Sequence, residues 1–300
     1  MSFTAKDVSA LREKTGVGMM DCKKALTEAE GNMERAVEIL RERGLAAAAK
    51  KAGRLAAEGV VYATVEGNVG VVVEVNAETD FVAQNADFMA FVQAVAKTII
   101  TENPADVDVL FTKTIAGGKD TVEEALREKI LVIGENIKIR RFARYEGVNT
   151  SYVHGGGRIG VLVNFETDLA GKDGFEAYAK DIAMQIAASG PQYVCKEEVP
   201  SEVIEKEKEI LTAQAINEGK PQNIAEKMVV GRISKYYKEF CLVEQPFVKD
   251  TDQSVAAYTK ATADSLGGSI KVVKFTRFEK GEGLEKKEEN FADEVANMVR

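Results

Sequence analysis

Gly70-Val71-Val72-Val73-Glu74-Val75-Asn76-Ala77-Glu78-Thr79-Asp80-Phe81 decides the fold, because its pattern occurs twice. Gly160-Val161-Leu162-Val163, followed by Glu166-Thr167-Asp168-Leu169, repeats it downstream. The flanks agree. Tyr62 precedes the first copy as Tyr152 precedes the second, and Phe88-Met89-Ala90-Phe91 with Val95-Ala96 is echoed by Phe175-Glu176-Ala177-Tyr178 with Ile182-Ala183. Each copy reads as strand, tight turn, strand, polar turn and helix. In the first, Glu66-Gly67-Asn68 separates the apolar runs 60–65 and 69–75 as a hairpin turn, and Gly155-Gly156-Gly157 does the same in the second. Duplicated hairpin-plus-helix units predict an α+β core of two antiparallel sheets with helices. Residues 136–145 supply a third strand for the first unit, and 121–133 a further helix.

The copies differ at one informative place. Asp80 is followed by Phe81-Val82, whereas Asp168 is followed by Leu169-Ala170. Only the first copy carries a large aromatic, and Asn76, Glu78, Asp80, Gln84 and Asn85 surround it with polar groups. An aromatic knob in a polar collar has the composition of a protein–protein hot spot. Two alternatives stay open here: Phe81 folding back onto its own domain, and Asp80 serving as the cap of the helix that carries Phe88 and Phe91.

Ahead of the core, three short helices are expected. Thr4 to Asp7 reads as a capping box, with Val8 and Leu11 apolar and Thr15-Gly16 as the stop. A second helix covers 19–30 and stops at Gly31, and a third, capped by Asn32, is expected to end at Gly44. An Ala-rich, partly helical tether follows to residue 58. The expected division is a helical domain at 1–45, the tether at 46–58, one core subdomain at 59–147 and a second at 148–300. The second carries a helical hairpin at about 200–238 and a C-terminal module at about 266–300, with a helix over 285–299. In the hairpin, Val203-Ile204 and Ile210-Leu211 recur at heptad spacing, and Ile224, Met228, Val229 and Ile233 form a stripe. This is either a protruding coiled coil or a pair of ordinary core helices.

A chain of 300 residues with 45% hydrophobic and 29% charged content fits a soluble globular protein of two or three domains. No run reaches the length of a membrane span, and the charged first twenty residues lack a signal-peptide centre, so a cytoplasmic protein is expected. Cys22, Cys195 and Cys241 are too scattered for a disulfide framework or a zinc site. A net charge of −8 disfavours generic nucleic-acid binding. No cofactor or metal is expected.

No enzymatic motif survives inspection. Gly117-Gly118-Lys119-Asp120-Thr121 imitates part of a phosphate-binding loop, but Lys113 stands where the first glycine belongs and Asp120 would repel phosphate. His154-Gly155-Gly156-Gly157 imitates an esterase oxyanion loop, yet no Gly-x-Ser-x-Gly elbow exists. His154 is the single histidine and no nucleophile motif answers to it.

The segment Glu74 to Asn85 resembles the central signature of the elongation factor Ts family, nucleotide-exchange factors for the GTPase elongation factor Tu. A second segment, Leu11-Arg12-Glu13-Lys14-Thr15-Gly16-Val17-Gly18-Met19-Met20-Asp21-Cys22-Lys23-Lys24-Ala25-Leu26, resembles the family's N-terminal signature. The resemblance implies a ubiquitin-associated-like opening domain, no covalent chemistry, and elongation factor Tu, GDP-bound or nucleotide-free, as partner. It implies that Thr79, Asp80, Phe81 and Val82 disturb the partner's magnesium site, that Leu11, Arg12, Met19 and Met20 grip its GTPase domain, and that the turn at His154, Gly155 and Gly156 faces its third domain. Met19 and Met20 read equally well as core, and the Gly-rich turn as a hairpin with an incidental histidine. For the helical hairpin the resemblance implies dimerisation in some members. The rival from another class is a ribosome- or RNA-associated scaffold, against which the acidic charge and the lack of an aromatic-plus-Arg stacking platform count.

Overall fold

The computed structural model describes residues 3–284, so the expected helix over 285–299 lies outside the described residues. The chain divides into two compact units, one of Met1–Val60, Glu74–Arg141 and Glu279–Arg300, the other of Val61–Val73 and Phe142–Phe278. The division runs through the strands of the first hairpin. Among the described residues no helix is long and apolar enough to cross a membrane.

In the first unit, α1 (Ala5–Thr15) opens with the expected capping box: Asp7 accepts the Thr4 N–H at 2.7 Å and returns its own N–H to the Thr4 hydroxyl. α2 (Met19–Glu28) follows, and then α3 (Met33–Lys51), capped by Asn32 accepting the Arg35 N–H at 3.0 Å. Two boundaries differ from expectation. α2 ends at Glu28, because Glu30 as well as Gly31 takes a left-handed conformation. Gly44 does not end α3; the alanines after it have the highest helix propensity and carry the helix to Lys51. Val8, Leu11, Cys22, Leu26, Ile39 and Leu40 bury one core.

β1 (Glu58–Glu66) and β2 (Val69–Ala77) form the hairpin around Gly67, and β3 (Lys138–Glu146) completes a sheet of order β1-β2-β3. Between β2 and β3 lie α4 (Asp80–Ala83), α5 (Ala86–Glu102), α6 (Val107–Phe111) and α7 (Val122–Ile133). α5 buries Phe88, Phe91, Val92, Val95 and Ile99, the stripe that the 3.6-residue period sets on one face. α7 contributes Leu131 and Val132 to the core of the N-terminal helices. Its start is a second capping box: Thr121 accepts the Glu124 N–H at 3.2 Å, and Glu124 accepts the Thr121 N–H at 2.8 Å. Thr121→Ala is expected to cost about 1 kcal/mol, read as a shift in the denaturation midpoint; an unchanged midpoint would show that the cap contributes nothing.

In the second unit, β4 (Val148–His154) and β5 (Ile159–Thr167) pair antiparallel from Val148 opposite Phe165 to His154 opposite Ile159. α8 (Asp173–Ser189) follows and buries Phe175, Tyr178, Ile182 and Ile186. α9 (Ser201–Asn217) and α10 (Gln222–Phe240) pack together through Ile204, Val229 and Ile233. Of the residues read as their stripe, Ile210 and Ile224 instead face solvent. β6 (Pro246–Phe247), β7 (Asp250–Ser254) and α11 (Val255–Leu266) lead to β8 (Ile270–Glu279), which completes the sheet β4-β5-β8. Each copy of the repeat thus owns a hairpin, a helix and a late third strand.

The glycine that starts each repeated strand has a packing cause. A Cβ on Gly160 would lie 2.4 Å from Val61 Cγ1, and one on Gly70 would lie 2.5 Å from Leu162 Cδ1. Both glycines face the small core of Val61, Val72 and Leu162, where backbone and side chain approach too closely for any larger residue.

Candidate functional site

The polar turn after β2 presents the site. Phe81 is 81% exposed, which overturns the reading in which it folds back into its own domain. It lies on α4, a single helical turn, beside the exposed Asp80, whose carboxylate makes no hydrogen bond or ion pair among the described residues. Val82, the next residue, is buried and roots the turn in the unit. An exposed Phe and an unpartnered carboxylate side by side form a surface that water solvates poorly on one half and strongly on the other. Such a surface suits a partner that offers an apolar recess beside a cationic or hydrogen-bonding group.

The turn is fixed at both ends. Upstream, the Glu135 carboxylate accepts the Glu78 N–H at 3.1 Å, the Thr79 N–H at 3.0 Å and the Thr79 hydroxyl at 2.6 Å. Glu78 reciprocates, accepting the Asn136 N–H at 2.6 Å, while Asn136 Nδ2 donates to the Arg54 carbonyl at 2.7 Å. Downstream, Asn85 accepts the N–H groups of Asp87 and Phe88 and so caps α5. Asp80 therefore does not cap the helix carrying Phe88 and Phe91; it opens the short helix before it. Asn76 drops out of the polar collar as well. It is buried, donating to the Glu58 carbonyl at 3.1 Å and to Glu74 at 3.0 Å.

The second copy uses the same residue types with the opposite outcome. Asp168 is exposed too, but it accepts the Ser269 N–H at 2.7 Å, and this bond, against an opposing effect of desolvation, holds its carboxyl below the usual range. Thr167 donates its hydroxyl to the Ser269 carbonyl at 2.7 Å. Leu169 is 1% exposed and packs with Phe165, Phe175 and Tyr178. One turn closes on its own unit, and the other faces outward.

The remaining residues singled out by sequence fall into two groups. Met19, Met20 and Arg12 are exposed, Met20 at 63%, so the reading of the two methionines as core does not hold. Leu11 is fully buried among the N-terminal helices and cannot touch a partner; its part is to carry Arg12 on a packed helix. His154, Gly155 and Gly156 form the exposed tip between β4 and β5, with the Tyr152 hydroxyl 3.1 Å from His154 Nδ1. Glu135 lies outside both sequence signatures. Its only local signal is Gly134, which ends α7 in a left-handed conformation, and nothing in the sequence pairs it with a turn so distant along the chain.

Comparison with known proteins agrees with the two sequence signatures. A family model described as "Elongation factor TS" matches residues 78–282. Proteins described as elongation factor Ts from Clostridium botulinum (strain Alaska E43 / Type E3) and Clostridium perfringens (strain 13 / Type A) are each 53% identical to this chain over 99% of both chains. The counterpart from Trichlorobacter lovleyi is 51% identical over 99% of this chain and 98% of its own. Similarity of that depth over the whole length, on a chain that carries both signatures and the duplicated hairpin core, makes this protein a member of the elongation factor Ts family of translation elongation factors.

Proposed function

We propose that this chain accelerates the release of GDP from elongation factor Tu by inserting the Asp80–Phe81 turn beside the partner's magnesium site. The observation that carries the proposal is the exposure of Phe81 on a turn held at both ends, where the duplicated turn buries its leucine. Such a factor makes and breaks no covalent bond. It binds the GTPase more tightly when nucleotide is absent, and by linkage it weakens GDP by the same factor. Weakening a ligand ten-thousand-fold takes about 5.5 kcal/mol of differential binding. Burial of one Phe supplies only about 1.5–3 kcal/mol. The rest has to come from a broad contact, for which exposed Arg12, Met19, Met20, His154, Gly155 and Gly156 are the candidates. Displacing the groups that hold the partner's ion removes the positive charge that neutralises the phosphates, and GDP leaves. Exposed Ile210, Ile216, Ile224 and Val230 on α9 and α10 support pairing of two copies through that hairpin.

The deciding experiment is stopped-flow release of fluorescently labelled GDP from elongation factor Tu, with and without this chain. A saturable acceleration over orders of magnitude is expected. A release rate that does not change with the concentration of the chain would end the proposal.

A further inference from the structure

We propose that Glu135 is the positioning residue of the exchange turn: it holds Thr79 from below so that Asp80 and Phe81 can face outward. The inference rests on the role proposed above for Phe81, and it adds a residue that neither sequence signature contains. Three observations support it. First, one carboxylate accepts three hydrogens from two consecutive residues, Glu78 N–H, Thr79 N–H and Thr79 O–H, at 3.1, 3.0 and 2.6 Å. Charge-assisted bonds of this kind are shorter and stronger than neutral ones. They fix the backbone immediately before Asp80, so few conformations remain open to the residues that follow.

Second, the two copies of the repeat exchange the direction of the anchoring carboxylate. In the second copy the turn supplies it: Asp168 reaches across to the N–H and hydroxyl of Ser269, on the approach to β8. In the first copy the approach to β3 supplies it: Glu135 reaches back to Thr79. The corresponding stretch before β8 is Gly267-Gly268, which has no side chain to offer, and a Cβ at Gly268 would lie 2.4 Å from Leu169 Cδ2. Asp168, itself exposed, ties the turn to Ser269, and Leu169 beside it lies in the core. Anchoring by Glu135 leaves Asp80 without a partner among the described residues and Phe81 in solvent.

Third, Glu135 is itself well placed. Gly134 ends α7 in the left-handed region at φ 85°, with its N–H bonded to Ile130 at 3.1 Å, so Glu135 leaves a packed helix at a fixed angle. Glu78 locks the same loop from the other side through the Asn136 N–H. The exposed Phe81 is thus held by the hydrogen bonds to Glu135 before it and by the buried Val82 after it, with no packing around its own ring. Preorganisation of this kind spends the ordering entropy before the partner arrives.

The test compares Glu135→Ala and Glu135→Gln with the parent full-length chain in two measurements. Amide hydrogen exchange of Glu78 and Thr79 in the free protein reports the anchor, and saturating stopped-flow GDP release from elongation factor Tu reports its consequence. For Glu135→Ala, exchange of those two amides is expected to quicken about tenfold or more. Maximal GDP release is expected to fall about fivefold or more, while the half-saturating concentration changes less than about threefold, since the rest of the interface is untouched. Glu135→Gln keeps an acceptor oxygen and the side-chain length, and it should retain part of both properties. If Glu135→Ala proves too unstable to study, Glu135→Gln and Thr79→Val, which removes only the hydroxyl donor, carry the comparison. Unchanged amide exchange overturns the proposal, and so does lost protection with undiminished GDP release. Phe81→Ala run alongside separates the two ideas. If it leaves release unaltered, the wedge role falls, and the amide exchange still decides whether Glu135 holds the turn.

Discussion

Phe81→Ala should slow the release of GDP from elongation factor Tu by roughly ten- to a hundred-fold, the rate equivalent of about 1.4–3 kcal/mol, while the melting temperature of the free protein hardly moves. The two halves of this result follow from one number. Phe81 is 81% exposed, so truncation removes almost no contact within the chain and leaves no cavity. A fully buried Phe cut to Ala costs about 3–5 kcal/mol of folding stability, which thermal unfolding would register at once. The duplicated turn supplies the internal contrast. Leu169→Ala removes a side chain packed among Phe165, Phe175 and Tyr178 and should lose about 2–5 kcal/mol of stability. Its folded fraction should still support GDP release. Asp80→Ala should leave stability alone, because the carboxylate makes no hydrogen bond or ion pair among the described residues. A strongly destabilised Phe81→Ala protein whose folded molecules exchange normally would remove the basis for the wedge.

Glu74→Ala should be the most damaging of the single substitutions considered, at about 3–5 kcal/mol of stability. Glu74 is fully buried at the middle of β2. It is neutralised by Arg140, at 3.1 Å, and by Arg141, at 2.6 Å, and it also accepts Asn76 Nδ2 at 3.0 Å and the Gly281 N–H at 2.8 Å. Gly281 has φ 70°, and a Cβ there would lie 2.4 Å from the Ala57 carbonyl oxygen, so the turn that offers its N–H tolerates only glycine. Removing the carboxylate takes from Arg140 and Arg141 the buried charge that faces them, although both still donate to Glu282, and it leaves the buried Gly281 N–H without this acceptor. Burial by itself would raise the Glu74 carboxyl, but the hydrogen bonds from Gly281, Asn76 and Arg141 together with the charge of Arg141 outweigh it and hold the group below its ordinary value. A carboxyl with a folded pKa below the unfolded one contributes its full stability above the ordinary glutamate value of about 4.3 and loses it as pH falls through the lower folded value. The stability gap between the native chain and Glu74→Gln should therefore be widest near neutrality and narrow in acid, as denaturant midpoints across that range will report. A gap independent of pH would mean that the charge on Glu74 does not stabilise the fold.

The sequence by itself determined the α+β class, the duplicated hairpin-plus-helix core and the capping box at Thr4. These depend on interactions between residues close along the chain, and such interactions leave a period, a cap or a turn residue behind. It also identified Phe81 as the residue that breaks the repeat. Whether that residue lies inside or outside was a different matter, because Phe81 and Leu169 follow the same Glu-Thr-Asp triplet and are both hydrophobic. The outcome rests on where the anchoring carboxylate comes from. Glu135 and Asp168 act on partners far from them in sequence, Thr79 and Ser269, and pairing at that range has no periodic trace. The same reason explains the other differences. Leu11 lies in the family's N-terminal signature but is consumed by a core that includes Leu131 and Val132 of α7. Gly70 and Gly160 repeat in the motif without a reason visible in the sequence; the packed chain supplies it by placing Leu162 and Val61 against them. Close approach between distant segments is a property of the packed chain, and only the tertiary structure could decide it.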